Sequence, residues 1–134
     1  MKRFAWYAGF VVAAHIPLVS WHLMVVSRIH LGLTAAQIAW FTFLTSLLPV
    51  TAVVLLHRGY NRIGGCLLAI ALGVGLAIGG YEHFLSAGPD NIFRMPPGEY
   101  AAAFRASSVF LLLFELTGCA IGVKAFTAVR SEPS

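Results

Sequence analysis

The chain has 134 residues, 59% of them hydrophobic and 10% charged, with a mean hydropathy of +0.83 and a net charge of +4. A soluble domain carries about 25% charged residues, and one this small leaves much of its area in water, so composition argues against a soluble fold. The nine Lys and Arg form no basic run or stripe, which points away from nucleic acid and toward a lipid bilayer as the surrounding partner.

Lys2 and Arg3 precede an apolar segment over residues 4–27. A basic start followed by an apolar run to Ala13 and Ala14 has the form of a signal peptide. The run resumes after His15 and continues through Val26, however, which favours an uncleaved span. Pro17 inside it removes one backbone donor and predicts a kink. After a short polar link, Thr34 and Gln37 have the spacing of a capping box opening a second span over residues 35–56. Its Thr42, Thr45, Ser46 and Pro49 share one helical face. Residues 57–62 read as a tight basic turn.

The third span, over residues 63–85, is rich in small residues at intervals of four: Gly65, Ala69, Gly73 and Ala77, and on a second face Ala71, Gly75 and Gly79. In lipid such ladders let helix backbones approach closely, so both predict packing surface. Gly73 and Gly75 follow no strand and open no helix, which argues against a phosphate loop. Residues 86–105 form the long connection, where Gly88, Pro89, Asp90 and Asn91 signal a turn. Ile92, Phe93 and Met95 are unusually apolar for a loop, and suit either a segment lying on the membrane surface or a lid over the end of the bundle.

The fourth span covers residues 106–126, residues 99–105 can extend its helix outward with Tyr100 at headgroup depth, and Glu115 stands near its middle. About 20 apolar residues at 1.5 Å each cross the ~30 Å hydrocarbon core, where a carboxylate costs roughly 2.5–3.5 kcal/mol unless it faces a partner or cavity. Ser108, Gly118, Cys119 and Gly122 lie at helical spacing around Glu115, so that face is small and polar and points inward. His15 lies at similar depth in span one and is the expected partner. His22 shares the His15 face about 10 Å further along, and Glu82 and His83 end span three on the same side.

If the chain begins in the cytoplasm, Lys2, Arg3, Arg58, Arg62, Lys124 and Arg130 lie inside, against Arg28, Arg94 and Arg105 outside. Six against three places both termini inside. Trp6, Tyr7 and Tyr60 then mark the inner interface, and Trp40 and Tyr81 the outer one. The expected fold is therefore all-α, an integral membrane four-helix bundle with N-in/C-in topology, a single domain over residues 1–134 in the cell (inner) membrane. Cys66 and Cys119 have no CxxC spacing and read as inert thiols.

Three functions fit the polar residues. In the first, preferred here, His15 and Glu115 are a satisfied internal pair, or Glu115 is simply protonated, in a non-catalytic membrane component that works alone, as a homo-oligomer or with other subunits. In the second, the polar residues conduct a proton or a small solute. In the third, His22, Glu82 and His83 ligate a metal or the iron of a haem b. No GxSxG, HExxH or paired-carboxylate motif supports catalysis. The packing positions expected from spacing are Gly65, Gly73, Gly75, Gly79, Gly118 and Gly122.

Overall fold

A computed structural model describes residues 2–29 and 34–128; the link at 30–33 and Arg130, which entered the charge count, lie outside it. Among the described residues the chain is all-helical. Four helices are long and apolar enough to cross a membrane: α1 (Lys2–Ile29), α2 (Ala35–His57), α3 (Asn61–Leu85) and α4 (Ala101–Ala128). Each packs on its neighbours in sequence and α4 closes on α1, giving an up-and-down ring in which α3 and α4 share the most extensive interface.

The burial pattern explains the register. On α1 it falls at Ala5, Ala8, Val12, His15, Val19, His22 and Val26, alternating three and four residues. On α4 it falls at Ala101, Phe104, Ser108, Leu111, Glu115, Gly118, Gly122 and Ala125. Both are inward stripes with period near 3.5, and both place one ionisable residue at mid-helix. Pro17 is exposed and does not end α1, which runs unbroken to Ile29.

Thr34 and Gln37 do form the capping box: the Gln37 amide donates to Thr34 Oγ1 at 3.2 Å and the Thr34 amide to Gln37 Oε1 at 2.9 Å. Within α2 a π-helical turn at Phe43–Leu47 precedes Pro49, and the Leu48 N–H reaches back to the Phe43 carbonyl. The wide turn makes room for a proline ring that would clash with an ordinary α-helical carbonyl. The α2–α3 connection is tight because Gly59 adopts φ +88°, a left-handed conformation that favours glycine.

At this turn end of the bundle, small residues bring backbones together. A Cβ on Gly64 would lie 2.9 Å from the Ala52 carbonyl oxygen, one on Gly65 2.7 Å from the Phe126 nitrogen, and one on Gly122 2.5 Å from the Ala69 nitrogen. A Cβ on Gly118 would collide with Leu72. Ala5, Ala8, Val12, Ala52, Leu56, Leu68, Leu72 and Ala125 complete a dry core there.

The opposite, loop end is built differently. The first turns of α2 (Ala35–Thr42) and a terminal π-helical turn of α3 (Tyr81–Leu85) bury no residue. The α3–α4 connection instead folds down onto α1 and α4, where Ile92 and Met95 join Val25, Val26, Ala101 and Phe104 in a second core. Asn91 organises this loop: its side chain donates to the Ser86 carbonyl at 2.8 Å and accepts from the Phe93 amide at 2.9 Å. Arg105 latches it, donating to the Ile92 and Met95 carbonyls at 3.0 and 2.8 Å. Helix α4 therefore starts at Ala101 rather than at 106. Arg105, which ends the apolar run in the sequence, is a helical residue whose charge is spent on loop carbonyls.

Candidate functional site

Between the splayed helices at the loop end lies a cavity of about 130 Å³. Its walls are mostly apolar, including Val19 and Leu23 of α1, Phe41 and Leu44 of α2, and Leu111 and Leu112 of α4. Its polar groups come from every element around it: His22, Thr45, Glu82 and His83, Ser108 and Glu115, and Asp90 of the loop. Both π-helical turns border it, through Leu44 and Thr45 and through Glu82 and His83. Such turns recur at functional sites because they re-aim side chains that an α-helix would direct elsewhere.

Glu115 occupies the deep end. Its Oε1 lies 3.6 Å from His15 Nε2, with the glutamate side chain 7% exposed and the histidine side chain fully buried. The two residues expected to meet are thus brought together. The contact is longer than a hydrogen bond, and neither ring nitrogen of His15 has a hydrogen-bond partner. The pair is in ion-pair contact, just beyond hydrogen-bond distance. Two glycines clear space for the carboxylate. A Cβ on Gly75 would stand 2.6 Å from Glu115 Oε1 and one on Gly79 3.8 Å from Oε2.

The six glycines expected to pack helices therefore divide. Gly65, Gly118 and Gly122 meet a neighbouring helix closely, Gly73 lies beside Cys119 at ordinary contact distance, and Gly75 and Gly79 face a carboxylate. Helical spacing alone does not tell these roles apart. Both cysteines are free.

Nearer the mouth, His22 and His83 meet edge to face with ring centroids 5.0 Å apart, and both pack on Phe104 at 5.3 Å. His83 Nδ1 lies 3.2 Å from the Asp90 carbonyl oxygen; a carbonyl only accepts, so Nδ1 carries the proton. His22 Nδ1 lies 2.9 Å from Ser107 Oγ, which also lies 3.0 Å from the Phe104 carbonyl oxygen. Burial raises the Asp90 carboxyl above its ordinary value of 3.8, against a smaller opposite pull from His83.

Comparison with known families, characterised proteins and solved structures finds no match.

The third expectation, a metal or haem held by His22, Glu82 and His83, meets two geometric obstacles. Among the described residues no three His, Cys, Asp or Glu side chains converge to hold a metal ion. Two imidazoles in edge-to-face contact also leave no slot for a porphyrin plane between them. Sequence reasoning missed Ser107, which pairs with His22, and read Asn91 as part of a turn without the side-chain bonds that fold the loop. Ser107 carried a weak signal, as a hydroxyl beside the inward stripe of α4.

Proposed function

We propose that this chain is a multi-pass protein of the cell (inner) membrane, with both termini cytoplasmic, that admits a small solute from the loop end to a proton-holding Glu115–His15 site. Support for membrane residence comes from the outward faces, where Trp6, Phe10, Ile63, Ile70, Phe110 and Leu116 are half or more exposed and would be stable only against an apolar solvent. The asymmetry of Lys and Arg favours the orientation. Cysteine placed at Ser86 should then react with an impermeant thiol reagent added outside intact cells, and cysteine at Ser131 should not.

The observation that carries the solute reading is that the Glu115 carboxylate, besides its contact with His15, lines a cavity. Gly75 and Gly79 keep that space clear, which is the arrangement of a site rather than of a core. Access can be tested with dicyclohexylcarbodiimide, a small apolar reagent that couples to protonated carboxyl groups. Glu115 should be modified in preference to the other four carboxylic side chains, and Glu115→Gln should abolish that label. A Glu115 that stays unmodified at every pH tested would mean that no small solute reaches it.

A further inference from the structure

We propose that the cavity takes a small organic monocation, a protonated primary amine on an apolar body, whose charge replaces a proton held by the Glu115–His15 pair. This rests on the reading of the cavity as a solute site. The hydroxyl protons of Thr45 and Ser108 on the wall are already committed to the protein. Thr45 donates to the Phe41 carbonyl at 2.7 Å and Ser108 to the Phe104 carbonyl at 2.8 Å. His83 donates through Nδ1 to the Asp90 carbonyl, and His22 Nδ1 is paired with Ser107 Oγ. What remains to face a ligand is dominated by acceptors: two hydroxyl oxygens and the carboxyl groups of Glu82, Asp90 and Glu115. Among the described residues no Lys or Arg lines the space. A phosphate, carboxylate or carbonyl ligand would set lone pair against lone pair, whereas an ammonium brings three donors and the opposite charge.

Size narrows the class. A cavity near 150 Å³ accommodates benzene, so about 130 Å³ suits a body of roughly six carbon atoms between the apolar walls. Charge balance supplies the mechanism. One proton, on Glu115 Oε1 or on His15 Nε2, leaves the buried pair neutral when the cavity is empty. When the ammonium binds, that O–H or N–H bond breaks, the proton leaves to water, and the carboxylate pairs with the ammonium. The other titratable groups around the space are His22 on α1, Glu82 and His83 on α3, and Asp90 on the loop; α2 contributes only Thr45 as a polar group.

The test is calorimetry on the purified full chain in detergent, with benzylammonium, benzyl alcohol and benzoate as probes of matched shape, in two buffers of different ionisation enthalpy. Benzylammonium should bind at least tenfold more tightly than either of the others and release about one proton. Glu115→Gln should weaken it tenfold or more and abolish the release. Ser108→Ala, which removes one wall acceptor and leaves the carboxylate, should weaken it about threefold and keeps the proposal testable if Glu115→Gln does not fold. Benzyl alcohol or benzoate binding as tightly as benzylammonium would overturn the cation proposal and leave the solute site standing. Failure of all three probes to bind would overturn both.

Discussion

The two ends of this bundle use the same residue type for opposite purposes. At the turn end, Gly65 of α3 lies against the backbone of α4, and an added Cβ would strike main-chain atoms of Gly122, Ala125 and Phe126. Three turns along the same helix, Gly75 lies against the end of the Glu115 side chain. In the first half the missing side chains let helices touch; in the second they leave space for a carboxylate that lines the cavity. One half is a dry core of alanine, valine and leucine. The other is held at its rim by the folded loop and stays open inside.

The contrast predicts a large difference between two equivalent substitutions. Gly65→Ala should destabilise the fold by about 3 kcal/mol, toward the upper range for overpacking, because backbone cannot yield. Gly75→Ala should be neutral or slightly stabilising, since helix propensity gains up to about 1 kcal/mol and a flexible carboxylate can move aside. Thermal or denaturant unfolding in detergent measures both. Equal losses would mean that Gly75 also packs against a helix.

Next in size is the effect at the floor of the cavity. Glu115→Leu should cost about 2 kcal/mol by leaving His15 buried without a polar neighbour, while Glu115→Gln should change stability little. A double-mutant cycle over His15 and Glu115 should give coupling; a value near zero would separate the two residues energetically despite their 3.6 Å approach.

The loop end should respond more locally. Arg105→Ala removes both bonds to the loop carbonyls and should cost about 1 kcal/mol, with faster hydrogen exchange confined to residues around 91–95. A global loss of protection would make the loop part of the main cooperative unit. The smallest effect expected is a pH dependence at Asp90. Burial favours its protonated form in the fold, so the folded state binds this proton more tightly than the unfolded chain. The loop should therefore be tightest in acid and loosen as pH rises from 3.8 through the raised value. Asp90→Asn should remove that dependence.

Much of this architecture was legible because it depends on run length and period. Apolar segments announced the four helices, Thr34 and Gln37 the start of α2, and matched depth the approach of His15 to Glu115. What was not legible depends on three-dimensional partners. An outward extension of α4 through Arg105 fits the sequence, but the Ile92 and Met95 carbonyls that take up its charge are partners only the fold supplies. The π-helical turns follow from local relief around Pro49 and at the end of α3, with no distinct residue pattern. Gly65 and Gly75 carry the same spacing signal, and only the neighbouring helix determines whether a glycine admits backbone or leaves room.

Thiol access tests most directly whether the bundle has an open polar half above a closed apolar half. In a background where Cys66 and Cys119 are alanine, cysteine would replace Thr45 on the cavity wall or Ala71, buried outside that wall. Reconstituted in vesicles and treated with a small polar thiol reagent on the loop side, Thr45→Cys should react and be protected by benzylammonium, while Ala71→Cys should remain unmodified. Equal reactivity at the two positions, or none at Thr45→Cys, would contradict the division of the bundle into these halves.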